Sequence, residues 1–152
     1  MKKIPLLLLM ITSLAGCGGG PLSLHDQFDL IAAEERWRKR AFENYSYEIR
    51  QICFCPVELT RFVRVNVQDD SVVAVTDVET GTPYPADLLL FWPTVDELFR
   101  GLHRLRANQG IEKVTAQYDP DLGYPRYIRS EAEEGVADGG STVETRALIS
   151  TP

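Results

Sequence analysis

From Tyr45 onward the chain alternates: Tyr45, Tyr47 and Ile49 fall on one side of an extended backbone, and Ser46, Glu48 and Arg50 on the other. Successive side chains of a strand point to opposite faces, so this run buries its aromatic side only as part of a half-covered sheet. After Pro56 the segment "RFVRVNVQDD" repeats the pattern, with Val63, Val65 and Val67 on one face. Asp69, Asp70 and Ser71 suit a tight turn, and "VVAVTDV" reads as the returning strand. A three-stranded antiparallel meander is expected here, and its apolar face needs a covering layer.

Runs of helical period supply that layer. In "DQFDLIAAEERWRKRAFEN", residues 26–44, Leu30, Ala33, Trp37 and Ala41 recur at helical spacing, and Phe28 and Ile31 widen the stripe. The basic cluster "RWRKR" reads as a solvated face because Glu34, Glu35 and Glu43 flank it at pairing distance. The segment "ETGTPYPADLLLFWPTVDELF" begins as a proline-rich connection and is expected to pack Leu88, Leu90, Phe91 and Trp92 against the sheet or a helix. Thr94 with Glu97 three residues on is a capping box, and Val95, Leu98, Phe99, Leu102 and Leu105 form the stripe of the helix it starts, which Gly110 ends.

Three more strands follow in "EKVTAQY", "YPRYIRS" and "STVETRALI". Between the first two, "DPDLG" has Pro120 to fix φ and Gly123 to take a positive φ. The expected fold class is α+β, in the order α-βββ-α-βββ. About six strands would form an antiparallel sheet of two three-stranded meanders, with two amphipathic helices packed on one face and a single globular domain over residues 26–152.

The start of the chain, "MKKIPLLLLMITSLAGCGGG", has two lysines, a short apolar run and then small residues, the three parts of a secretory signal. Its apolar run falls short of the roughly 20 residues that span a bilayer. The tetrad Leu14-Ala15-Gly16-Cys17 resembles the lipobox of bacterial lipoproteins. That resemblance implies a signal peptide over residues 1–16, a covalent lipid on Cys17 that includes palmitate-type acyl chains, and a flexible tether over residues 17–25. It also implies a cell-envelope location, and Gly18, in place of a retaining aspartate, points to the outer membrane facing the periplasm.

Charge narrows the partners. The whole chain carries −6; without Lys2 and Lys3 the basic count falls from 16 to 14 against 22 acidic residues, a net −8. Nucleic acid is therefore not an expected partner. His25 and His103 are the only histidines, one at the tether and one near the end of a helix, and no nucleophile-elbow, zincin or phosphate-loop motif occurs. Asp119, Asp121 and Asp138 fall in turns, yet "DPDLGYPRYIRS" fails the spacing of a calcium loop. The expected protein is not an enzyme and holds no metal or cofactor besides the covalent lipid.

With Cys17 lipidated, the reactive residues left are Cys53 and Cys55 in "QICFCP". In a regular strand their Cα atoms would lie about 6.6 Å apart, at the far edge of disulfide geometry, so a disulfide needs a kink that Pro56 permits at the strand's end. Continued alternation instead places both on the core side as small hydrophobes. Two thiols without a convergent histidine do not complete a zinc site, though they suit Cu(I). Core filling or a structural disulfide, a redox role and metal handling all stay open.

The lipobox, "YSYEIRQICFCP", the "TVDELF" helix start and "YDPDLGYPRYI" together resemble a family of small bacterial lipoproteins of the domain of unknown function 6174 type. The likeness spans most of residues 37–149 and is most specific at Cys53 to Pro56 and at Tyr118, Asp119, Pro120, Gly123, Tyr124 and Pro125. It implies export and fold, and no activity. The expectation is a lipid-anchored, non-catalytic envelope module that binds a protein or envelope component through its sheet or its turn loops, with Tyr84, Tyr124 and Tyr127 as candidate contacts. The alternative is a thiol-dependent redox or Cu(I)-handling protein using Cys53 and Cys55.

Overall fold

The computed structural model describes residues 24–108, 110–135 and 140–151. The signal segment, Cys17, most of the tether and Asp138 lie outside the described residues, as do the side chain of His25 and any reading made on them. Helix α1 (Leu24–Arg38) leads into β1 (Tyr45–Ile52), a single turn of helix α2 (Val57–Thr60), β2 (Val63–Gln68) and β3 (Ser71–Asp77). A 3-10 helix (Ala86–Phe91) then precedes α3 (Val95–Ala107), β4 (Ile111–Tyr118), β5 (Pro125–Ala132) and β6 (Ser141–Ser150).

The fold is α+β around a six-stranded antiparallel sheet in the order β3-β2-β1-β6-β5-β4. Two simple meanders do not describe it: β1–β3 and β4–β6 each pair in sequence, but the two sets are joined through β1 and β6 into one sheet. The expected arrangement left the pairing of β1 open, and the structure fills it with β6, from Tyr45 opposite Ser150 to Ile52 opposite Thr142 with a bulge between Ser46 and Glu48. The first and last strands thus meet at the centre, and five consecutive residues of β1, polar Ser46 and Glu48 included, are buried. Alternation alone could not predict that second buried side, because long side chains from β2 and β6 provide it.

On the helical side Tyr45, Tyr47, Ile49, Val63, Val65, Val67 and Val75 meet Leu30, Ala33 and Trp37 of α1 and Val95, Leu98, Phe99 and Leu102 of α3. Each large buried apolar side chain contributes about 1.5–3 kcal/mol of transfer energy. The capping box of α3 forms as expected: Glu97 N–H donates to Thr94 Oγ1 at 3.2 Å, and Thr94 N–H donates to Glu97 Oε2 at 2.8 Å. Two tyrosines tie that helix start to the sheet. The Tyr45 hydroxyl accepts from Val95 N–H at 3.0 Å, and the Tyr47 hydroxyl donates to the Pro93 carbonyl. Burial pushes both phenols well above their ordinary range.

The helices differ from expectation in number and extent. Besides α1 and α3 there are α2 and the 3-10 helix, and α1 stops at Arg38 rather than Asn44. Its last turn tightens, Arg40 N–H reaching Trp37 O at 3.2 Å, which leaves Ala41 outside the helix and exposed. Among the described side chains of α1 only Leu30, Ala33 and Trp37 reach the core; Phe28 and Ile31 are exposed, so the stripe is narrower than the sequence implied. Leu90 and Phe91 are likewise exposed, while Trp92 is buried and Leu88 half-buried. Helix α3 ends at Asn108 as C-cap, two residues before Gly110.

Candidate functional site

Strand β1 ends at Ile52, and Cys53, Phe54 and Cys55 leave it in a bend. The two sulfurs are joined as a disulfide with the Cα atoms 5.2 Å apart, against about 6.6 Å in an extended strand. The kink required of such a pair is present, and the alternation that would have carried both residues into the core is broken: each is only half-buried. Phe54, at the apex of this small loop, is 88% exposed. Pro56 then starts α2, Leu59 N–H closing its turn on Pro56 O at 3.0 Å.

That bend turns α2 toward the 3-10 helix. Leu59 on one side and Leu88 and Phe91 on the other line a cavity of about 420 Å³, completed by Pro56, Tyr84 and Trp92. The Tyr84 ring stands edge-on to Trp92, centroids 5.9 Å apart, and Tyr84 N–H donates to Val75 O at 2.9 Å, which seats this wall on β3. The lining is apolar almost throughout. Trp92 Nε1, on one of the lining residues, is buried and has no hydrogen-bond partner among the described residues. Phe91, itself 51% exposed, lines the cavity; Leu90 precedes it on the 3-10 helix, and Phe54 and Val57 lie within two residues of the lining Pro56, with Leu90 77% and Val57 60% exposed. Single exposed apolar residues are ordinary; several of them on the two segments that wall an apolar hollow mark a binding surface. The charges near it include Asp87 on the 3-10 helix, and Asp70 and Glu97 in the adjoining hollow that shares Trp92.

The residues singled out between Tyr118 and Pro125 form a turn with a structural task. Asp119 Oδ1 accepts from Asp121 N–H at 3.1 Å and Leu122 N–H at 2.9 Å, and Gly123 N–H donates to Asp119 O at 3.0 Å. Gly123 has φ +82°, as "DPDLG" predicts, and lies against the Ala33 carbonyl of α1. Gly123, Tyr124 and Pro125 are buried, Tyr118 and Asp119 are half-buried, and Pro120 is exposed. Tyr124 therefore presents little contact area, Tyr84 forms a wall of the apolar cavity, and Tyr127 stays half-exposed on the opposite sheet face. Histidine 103 sits on the outer side of α3, with His103 Nε2 at 3.1 Å from Glu34 Oε2 of α1. Among the described residues no group of three or more His, Cys, Asp or Glu could hold a metal ion, and no helix is long and apolar enough to cross a membrane.

Sequence reasoning singled out Cys53 and Cys55, leaving core filling, a disulfide, redox use and metal handling open, and missed the cavity beside them. A signal was present: Leu88-Leu89-Leu90-Phe91 is apolar at four consecutive positions, and a helical turn on a surface buries only part of such a run.

The model of a family described only as a family of unknown function (DUF6174) matches residues 29–150. No curated protein and no solved structure matches the chain.

Proposed function

The chain belongs to this family of unknown function, and from that premise we propose that it is a lipid-anchored, non-catalytic binding module of the cell envelope whose apolar cavity receives a partner protein. One observation carries the reading: a hollow of about 420 Å³ is lined by apolar side chains, and the two segments that wall it carry the exposed apolar residues Phe54, Val57, Leu90 and Phe91. Interface cores are apolar, concave and filled by one or two anchoring side chains, which such a hollow suits. The acidic surroundings at Asp70, Asp87 and Glu97 favour an apolar segment flanked by lysine or arginine. They oppose a bilayer surface, since anionic headgroups attract basic rims.

The lipobox, the export signal and the outer-membrane destination facing the periplasm rest on the sequence at Leu14 to Gly18. Anchoring would hold the domain near the membrane, where a modest affinity for a neighbouring protein is amplified by local concentration. The thiol-dependent alternative, redox exchange or Cu(I) handling, would begin with reduction of the Cys53–Cys55 bond. Free-thiol titration with and without reductant, together with copper analysis of the purified protein, distinguishes it.

The test compares crosslinked complexes recovered by the full-length tagged chain with those recovered by a Phe54→Ser, Leu90→Ser double variant. Both positions are exposed, so the fold persists. Recovery of the same stoichiometric protein by the wild type, and at least tenfold less by the variant, supports the reading; equal recovery by both refutes it.

A further inference from the structure

The sheet face opposite the helices carries a second hollow, of about 440 Å³, and its chemistry is the reverse of the apolar cavity. Strand register sets its floor. Arg50 of β1 lies opposite Glu144 of β6, and Glu144 lies opposite Tyr127 of β5, so one row crosses three strands. Arg146 sits two residues further along β6, and Arg126 precedes Tyr127 on β5; both line the hollow. Phe62, just before β2, lies under two guanidinium groups, with Arg50 Cζ 4.7 Å and Arg146 Cζ 3.8 Å from its ring centroid. Cation–π contacts at such distances hold planar guanidinium groups in fixed orientations.

The charge here does not cancel. Arg50 pairs with Glu144 at 2.6 Å, and Arg146 shares Glu48 with Arg64, at 2.8 and 2.7 Å. Four arginines, Arg50, Arg64, Arg126 and Arg146, thus face two glutamates, an excess of +2 in a chain whose net charge is −6. Among the described residues Arg126 joins no ion pair, and Arg146 pairs through Nε. A concave basic hollow focuses its field on a small anion, and guanidinium forks pair through two parallel hydrogen bonds with a planar carboxylate, as they also do with phosphate. Tyr127 adds a flat half-exposed ring beside them.

We propose that this hollow is a binding site for a small carboxylate ligand, held by Arg126 and Arg146 with Tyr127 against its body. It stands on different residues from the apolar cavity, so either site can fail without the other.

Calorimetric titration of the full-length protein with glucuronate, N-acetylglutamate, glucose and inorganic phosphate tests it and separates a sugar acid from an acidic residue as the source. The expected result is saturable binding of one or both carboxylates with Kd below about 1 mM. Arg126→Gln should weaken that binding at least tenfold, while glucose shows none. Arg126 is exposed and unpaired, so its variant should keep the wild-type circular dichroism and melting curve; Arg146→Lys, which keeps its charge but loses the fork, should also weaken binding. Absence of binding by both carboxylates, binding indifferent to Arg126→Gln, or phosphate binding as tight as carboxylate binding would each overturn the proposal.

Discussion

Replacing Gly123 by alanine tests how the β4–β5 turn supports α1. Two costs combine there. The residue has φ +82°, where an L side chain loses about 1–2 kcal/mol. An added Cβ would also lie 2.1 Å from the Ala33 carbonyl oxygen and 3.0 Å from Arg36 Cβ. No real contact is that short, and the obstacle is helix backbone, so either α1 or the turn must move. Overpacking of this kind costs about 1–3 kcal/mol, which makes the expected total about 2–5 kcal/mol. Gly81 provides the control: its φ is +71°, and nothing lies within 4 Å of the position a Cβ would take. Gly81→Ala should cost only the backbone part, about 1–2 kcal/mol. Urea unfolding followed by tryptophan fluorescence reads both, with Trp37 on the displaced helix. If the slope m stays constant and Gly123→Ala costs no more than Gly81→Ala, the claimed contact with α1 is wrong.

Four further outcomes are expected. Burial alone would raise the Glu48 carboxyl, but the hydrogen bonds from Arg64 and Arg146 outweigh it and hold its pKa below the ordinary 4.5. Its contribution is therefore present above that value and lost as pH falls through the lowered one. Glu48→Gln should cost about 1–2 kcal/mol at pH 7, since both arginines are half-exposed, and the gap to wild type should close in acid denaturation below pH of about 4. Thr94→Ala removes the cap of α3 and should cost about 1 kcal/mol in the same urea assay. Cys53→Ser with Cys55→Ser should cost only about 1–2 kcal/mol, because the closed loop is very short; a loss above about 4 kcal/mol would show that the loop supports the core. Phe54→Ser with Leu90→Ser should change stability by less than about 0.5 kcal/mol, since neither side chain is buried.

The legible parts of the fold were those decided by local pattern. The alternation at Tyr45, Tyr47 and Ile49 and at Val63, Val65 and Val67 reports burial directly, and the Thr94–Glu97 box and Gly123 turn are closed by groups three or four residues apart. What depends on distant partners was hidden. Nothing near Tyr45 says that β6, about 100 residues later, completes its ladder, and nothing near Phe28 or Ile31 says that α1 touches the core along Leu30, Ala33 and Trp37 instead. The site followed the same division. "CFCP" drew attention by itself, though whether its cysteines paired or filled the core stayed open, whereas the cavity needs Leu59 and Phe91 brought together across a turn of chain. The arginine row on the opposite face reads in sequence as scattered solvated charge, because Arg50, Arg126 and Arg146 come from three strands.

The apolar cavity is the proposed docking place for a partner protein. Site-specific photocrosslinking in intact cells reads this directly, with the crosslinking residue placed at Phe54 near the cavity or at Glu112, an exposed position on β4. The predicted result is one discrete protein adduct from position 54, lost in the Leu90→Ser background, and none from position 112. Lipid adducts alone, no adduct at position 54, or the same adducts from both positions would contradict it.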